Sequence, residues 1–461
     1  MMRRALALIV AAVLAAGSMP AGGRGGAASP AAAGAADRYI VQTGPSAGDP
    51  AAVAADLAKR YGIAPGHVYR TAIRGFSARI PGSAMAAVRA DRRVRQVSPD
   101  TEFRPHIPRP EPFSQPRDFP ATGQTTPPGI ARIQAPENPL FGAGPVDVDV
   151  AVIDTGVWAG HPDLNVVGGR NCVQNEPNRD LFGHGTHVAG TIGAIDNDFG
   201  VVGVAPGARI WSVKVLDRNG AGRWSDVICG IDWVAANASV IEVANMSLGG
   251  YWGVDLDDGR CGRSLGDAYH AAICAAVRAG VVFVVAAGNA CSDARLFIPG
   301  GYPEAITVAA FADTDGQPGG YGPAGTSKGC GEDGLPIPNN DDSIGAFTNT
   351  GKPVDLWAPG VNVLSTYLPD PLSSNRPYAV LSGTSMAAPH AAGAAALILA
   401  ANPSLKPSAV SGRLVSGAER RRLPNGYAGA EWNGKRKESY RARIVNLNDG
   451  PAWPPQPYAG G

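Results

Sequence analysis

Beyond residue 129 the chain is built from short apolar runs separated by segments of helical period. Residues 148–153, 209–215, 240–246, 281–286 and 305–309 are short stretches of strand length in which apolar residues predominate. Runs of this kind fit strands covered on both faces. Residues 187–194, 225–237 and 264–279 lie between them with a helical pattern, and 384–400 follows as a helix of small apolar residues. Alternating strands and helices predict an α/β fold, a largely parallel sheet flanked by helices. No internal repeat is visible.

The preceding stretch has a different pattern and predicts a small α+β unit. Residues 39–41, 72–80 and 94–98 read as strands, and 51–61 and 83–90 as helices. Residues 104–128 then carry Pro105, Pro108, Pro110, Pro112, Pro116, Pro120, Pro127 and Pro128. Proline cannot donate to a sheet ladder, so this stretch is an extended linker. The expected plan is a signal peptide and small-residue spacer over 1–36, the small domain over 37–104, the linker over 105–123, the large domain over 124–450 and a tail over 451–461.

The signal-peptide assignment rests on a basic start, residues 1–4, followed by an uncharged apolar run over 5–16 and then small residues. That run is too short to span a bilayer. Cleavage is expected between residues 21 and 36, giving a secreted protein that is not held in a membrane. The 40 Lys and Arg balance 39 Asp and Glu, and no basic face stands out, which argues against nucleic acid as a partner. Cys172, Cys229, Cys261, Cys274, Cys291 and Cys330 are even in number in an exported chain and imply three disulfides. Fifteen pairings are possible; the near-neighbour one, 172 with 229, 261 with 274 and 291 with 330, is expected. No C-x-x-C pair suggests a metal, and no oligomerisation signal appears, so a monomer is expected.

Candidate chemistry sits at the ends of these elements. Asp154 directly follows the apolar run Val150-Ala151-Val152-Ile153, at the carboxyl end of a strand, where open α/β sheets place their sites. His184 lies between Gly183 and Gly185, which let the chain turn into a helix with the imidazole at its start. His187 follows without the Glu that H-E-x-x-H would require, so a structural role is expected. Ser385, in Gly383-Thr384-Ser385-Met386-Ala387-Ala388-Pro389, opens a helix whose dipole and free N–H groups favour negative charge on its oxygen. Asn289 ends another buried strand and offers an amide NH2 to a developing oxyanion. Taken singly, each is equally an ordinary cap or turn residue.

Together they form an ordered set: Asp154, then His184 30 residues on, then Asn289, then Ser385 201 residues after the histidine. In this order and context the sequence resembles the subtilisin family of serine peptidases, with Asp before His before Ser. The resemblance spans roughly 124–448 as catalytic domain and 37–104 as the family's inhibitory propeptide, where Gly75-Phe76-Ser77-Ala78-Arg79-Ile80 and Val97-Ser98-Pro99-Asp100 resemble family strands. It implies a self-processing zymogen acting on polypeptides, with its own propeptide as intramolecular inhibitor. Ser385 would be the nucleophile, His184 the general base, Asp154 its orienting carboxylate and Asn289 an oxyanion donor.

The resemblance also implies a substrate cleft. Ser247, Leu248 and Gly249 would pair with the substrate backbone, Ala287 and Gly288 would form another wall of the S1 pocket, and Gly220 and Gly222 would lie on the second edge strand with Trp224 near S4. No acidic residue stands in these segments, which points to an apolar or aromatic P1 residue. Gln124, Asp163 and Asn197 side chains with carbonyls of Ile195, Phe199 and Val201 match the family's strong Ca2+ site, six oxygens suited to that ion.

Two other classes are disfavoured. An α/β-hydrolase esterase needs G-x-S-x-G and Ser before Asp before His, and both fail here. A binding protein on an inactive peptidase fold would lack a member of the set, and none is missing. Residues 312–343 form a long Gly/Asp/Pro-rich insertion, 417–440 has too little periodicity to assign, and maturation is expected within 103–123.

Overall fold

A computed structural model of the chain describes residues 37–105, 123–330, 336–369, 377–424 and 439–447. The expected signal peptide, most of the linker and the tail lie outside the described residues.

The small unit is a four-stranded antiparallel sheet in which Asp37–Thr43 lies between Gly75–Ile80 and Val94–Pro99, with Ala64–Tyr69 at the far edge. Helices Pro50–Tyr61 and Gly82–Ala90 cover it and bury Val53, Leu57 and Val88 against Val41, Phe76 and Ile80. Ala64–Tyr69 is not marked by the sequence pattern. It begins Ala-Pro-Gly, its first residues are exposed, and its register shifts between Pro65 and Val68.

The large unit holds a nine-stranded sheet in the order Glu419–Pro424, Ser439–Ile444, Val354–Pro359, Ile306–Phe311, Val282–Ala286, Val243–Met246, Asp149–Asp154, Arg209–Lys214 and Val166–Asn171. Every neighbouring pair is parallel except the first, which is antiparallel. This is the expected α/β fold, and the five apolar runs are its inner strands. The strands the pattern does not mark lie at or toward the rims: Val166–Asn171 is Gly-rich and half exposed, and Glu419–Pro424 carries three arginines in a row. Charge on a rim strand blunts edge-to-edge pairing, at the cost of a legible alternation. The strand Glu419–Pro424 falls within 417–440, where no element is expected.

Asp149–Asp154 sits where the chain order switches direction across the sheet, between Arg209–Lys214 and Val243–Met246. The crevice at the carboxyl ends of these strands is therefore the favoured place for a site. Helix Thr384–Ala401 runs against four inner strands, and all of its residues through Leu399 are buried. Among the described residues it is also the one helix long and apolar enough by composition to cross a membrane, yet 89% of its span is enclosed by protein. Its Ala and Gly residues let it lie close to the strands.

The disulfides are Cys172–Cys229, Cys261–Cys274 and Cys291–Cys330, the near-neighbour pairing. Cys172–Cys229 joins the rim beyond Asn171 to helix Trp224–Ala236 and closes a 57-residue separation. Replacing both cysteines by serine in a Ser385→Ala background should lower stability by about 2–4 kcal/mol. Urea unfolding measures this, and an unmoved midpoint would show that the link adds nothing to the folded state.

Candidate active site

Asp154, His184 and Ser385 are all buried, at 0%, 0% and 4% exposure. Asp154 ends its strand, and its Oδ1 accepts from the Thr155 N–H at 2.7 Å and from His184 Nδ1 at 2.8 Å. His184 opens helix His184–Gly193, and two glycines make that start possible. Gly183 has φ +101°, where a Cβ would also strike the Tyr367 ring, and a Cβ at Gly185 would collide with the Gly156 carbonyl. With Nδ1 held by the carboxylate, Nε2 is the nitrogen left to take a proton. It is buried without a hydrogen-bond partner.

Ser385 is fixed through its main chain. Pro389 inside the helix has no N–H to give the carbonyl four residues back, which is that of Ser385. That carbonyl accepts instead from Ser247 Oγ at 2.7 Å. Asn245 Nδ2 donates to the same Oγ at 2.9 Å, and Ser385 Oγ donates to the Ser247 carbonyl at 3.1 Å. The Ser385 hydroxyl thus rests on Ser247, not on His184. Catalytic hydrogen bonds are often unformed without substrate.

The Asn289 carboxamide oxygen accepts from both N–H and Oγ1 of Thr384, at 2.9 and 2.8 Å. That orients the amide with its NH2 as the donating end beside the start of the Ser385 helix. Ala287 is buried and donates to the Val308 carbonyl, and Gly288, at φ +100°, accepts from the Asn349 N–H.

The other cleft residues are placed unequally. Leu248 is buried among the apolar residues behind the cleft. A Cβ at Gly249 would strike the Ile298 carbonyl, and the strand in this loop is Gly250–Tyr251, paired with Phe297–Ile298. Gly222 begins the edge strand Gly222–Arg223, whereas Gly220, with φ +74°, lies in the turn before it. The main chain of Glu102 and Phe103 pairs antiparallel with Gly222–Arg223, and the Phe103 ring stacks on Trp224 at 4.0 Å. The end of the small domain thus lies on this edge as an added strand.

Helix Trp224–Ala236 carries much of the remaining contact between the two units. Asp100 accepts from the Ser225 N–H, which caps a helix whose own flanking Arg223 has no side-chain cap. Asp232 accepts the main-chain N–H groups of Arg70, Thr71 and Ala72. Sequence reasoning misses both aspartates, because their partners are 125 and about 160 residues away. It also misses Lys214, a fully buried cation beside Asp154 in register, held by the carbonyls of Thr155 and Leu216 and by Glu176 at 3.2 Å.

Around Asp163, three carbonyls converge on one point. Gln124 Nε2 donates to Ile195 O at 2.7 Å and faces Val201 O and Phe199 O at 3.4 and 3.5 Å. Asp163 accepts from Asn197 Nδ2 and the Val201 N–H, and burial pushes its carboxyl up to about 7. A carboxylate and carbonyls gathered around a donor NH2 form an oxygen-rich cradle that favours a cation. Turning the Gln124 amide over would add a further oxygen to it.

Comparison with known proteins shows the family. Residues 146–437 match the Subtilase family and residues 38–106 match Peptidase inhibitor I9. Subtilisin DY of Bacillus licheniformis is 38% identical over 299 residues, covering 64% of this chain and 92% of that one. Subtilisin Savinase of Lederbergia lenta is 39% identical over 282 residues, 61% and 87% of the two chains. A solved structure of a cold adapted subtilisin-like serine proteinase is 33% identical, covers 66% of this chain and 89% of its own, and has a TM-score of 0.48. The chain is a serine peptidase with an inhibitor-type domain before its catalytic fold. It belongs to the subtilase family.

His187 and His390 lie outside this chemistry and show what burial does to an imidazole. His187 Nε2 donates to the carbonyls of Val363 and Ala379, and His390 Nδ1 to that of Met386. Burial, aided by nearby His184, pushes His187 down to about 3, and burial pushes His390 down to about 4. Their neutral forms stabilise the fold fully above pH 6.5. Below it the unfolded chain takes up protons that the folded chain refuses, until about pH 4 for His390. That loss is roughly 3 kcal/mol for His390. Melting temperature against pH should therefore fall less steeply between 6.5 and 4 in His390→Leu than in the parent; parallel curves would remove His390 from the acid response.

Proposed function

We propose that the chain is the precursor of a secreted endopeptidase that cuts peptide bonds through an acyl-enzyme and releases itself from its own propeptide. The observation that carries this reading is the buried 2.8 Å contact between Asp154 and His184 at the sheet's switch point, beside the helix that Ser385 opens.

In the reaction, the Ser385 hydroxyl turns from the Ser247 carbonyl to His184 Nε2. Its oxygen attacks the scissile carbonyl carbon as Nε2 takes the proton. Asp154 keeps the other ring proton on Nδ1 and favours the imidazolium. The tetrahedral oxyanion is held by the Asn289 NH2 and the Ser385 N–H, one of the first-turn donors that a helix leaves unpaired. The imidazolium returns its proton to the leaving amine, which departs and leaves the acyl-serine. Water, deprotonated by the same imidazole, then frees the acid and restores the hydroxyl.

Substrate chains would lie as Thr101–Phe103 does, a strand along Gly222–Arg223, with an apolar or aromatic side chain taking the place of Phe103 on Trp224. Ser247, Leu248 and Gly249 would face them from the other edge, Gly220 shaping the turn of the first. The apolar walls at Ala287 and Gly288 would favour an apolar or aromatic P1 residue. Residues 37–104 would act as the inhibitor, 124–450 as the peptidase, and cleavage would fall within 103–123. Three disulfides support export, as does the leader-like composition of residues 1–36.

The oxygens of Gln124, Asp163, Asn197, Ile195, Phe199 and Val201 would hold Ca2+, which neutralises the buried Asp163 carboxylate and has no part in the bond cleavage.

Intact mass of the secreted protein tests self-processing. Wild type should appear as a fragment starting within 103–123, while Ser385→Ala retains residues 37–104; equal cutting of both would assign maturation to another peptidase. Asn289→Ala should lower kcat by about 10²–10³, the effect known for the equivalent donor in subtilisin, with little change in KM. An unchanged kcat would take Asn289 out of the oxyanion site.

A further inference from the structure

The 312–343 segment, which the peptidase reading leaves without a role, contains a group of carboxylates with unmet demand. Strand Ile306–Phe311 runs into Asp313-Thr314-Asp315-Gly316, and the segment returns through Asp341 and Asp342. One carboxylate oxygen from each of Asp313, Asp315 and Asp341 lies within 4.8 Å of the others.

Asp313 is the anomaly. Its side chain is 0% exposed, and neither carboxylate oxygen has a hydrogen-bond partner. The nearest cation, Arg132, stands 3.9 Å away and is engaged by Asp342 at 3.2 Å and Glu419 at 2.8 Å. Arg421 is likewise shared between Asp342 and Glu419. Asp313, Asp342 and Glu419 thus share two guanidinium groups. A buried carboxylate with no donor and only a shared counter-charge 3.9 Å away is costly, which favours either a proton or a cation at the group. Burial, with its acidic neighbours and against the pull of Arg132, pushes the Asp313 carboxyl up to about 8.

The geometry favours a cation. Asp341 is held by the Thr314 and Gly322 N–H groups at 2.8 and 3.0 Å. Asp315, the exposed member, opens the group to solvent. A Cβ at Gly322 would come within 3.0 Å of Asp341 and 3.1 Å of Asp315, so glycine keeps this approach clear. Calcium–oxygen bonds are roughly 2.4 Å, so oxygens no farther apart than twice that length can share one ion.

We propose that Asp313, Asp315 and Asp341 form a second divalent-cation site, suited to Ca2+, which ties the 312–343 segment to the end of the central sheet. It shares no residue with the cradle around Asp163 and does not rest on the catalytic reading.

The test uses the full chain carrying Ser385→Ala, dialysed against submillimolar calcium chloride, with bound calcium counted by mass spectrometry of the element. Asp315→Ala, a change at an exposed position, should bind one equivalent less than its parent, and should do so again in an Asp163→Ala background. It should also lose part of the calcium-dependent rise in melting temperature. Asp313→Asn should melt at or above its parent in chelator and below it in calcium. Unchanged calcium content in Asp315→Ala would overturn the proposal. So would an Asp313→Asn chain that is as stable as its parent in both conditions, because the group then holds a proton and no ion.

Discussion

A missing N–H sets the position of Ser385. Pro389 cannot close the helical hydrogen bond to the Ser385 carbonyl, and Ser247 Oγ takes that acceptor. Because Ser385 Oγ in turn rests on the Ser247 carbonyl, the first turn of the buried helix is fastened to the loop after strand Val243–Met246 at two points. Thr384 of the same turn fixes Asn289, which leaves strand Val282–Ala286. One helix start therefore sets the spacing of two strand ends, and the buried helix behind it keeps that start from shifting. A carbonyl left open by proline would cost free energy unless something nearby satisfied it, so the defect and its remedy have to occur together.

Much of this is legible in the sequence because the inner strands are covered on both faces. Residues 150–153 and 281–286 are wholly apolar, and the carboxyl ends of such strands are where chemistry collects. The glycines around His184 are likewise readable, since each corresponds to a close approach or a left-handed turn. What escapes is whatever answers to distant residues. The rim strands Val166–Asn171 and Glu419–Pro424 take their conformation from a neighbour's main chain, not from their own alternation. The helix expected over 264–279 starts only at Ala268, because the Asp267 carboxylate caps Tyr269 and His270 and ends the preceding loop. Gly220 belongs to a turn, since Asp217 accepts the N–H groups of Asn219 and Ala221 and closes the chain on itself. Lys214 reads as one charged residue near the end of an apolar run, and only the fold shows that carbonyls and Glu176 surround it.

Buried acids are handled in contrasting ways across the molecule. Asp154 has its Oδ1 satisfied by a ring N–H and a main-chain N–H. Asp163 and Asp313 sit in surroundings that favour their protonated forms. Burial sets the direction in both, but Asp163 keeps donors in the Val201 N–H and the Asn197 NH2, whereas neither oxygen of Asp313 has one.

The contact of Asp232 with the main-chain N–H groups of residues 70–72 has a consequence for how this precursor can change over time. A carboxylate that grips only backbone is indifferent to which side chains hang from it. Arg70, Thr71 and Ala72 could drift to other residues, proline excepted, while the grip persisted. Asp232 itself has no such freedom. The inhibitor-type domain is thus held here by the shape of its backbone alone, which leaves the side chains of these three positions free to vary.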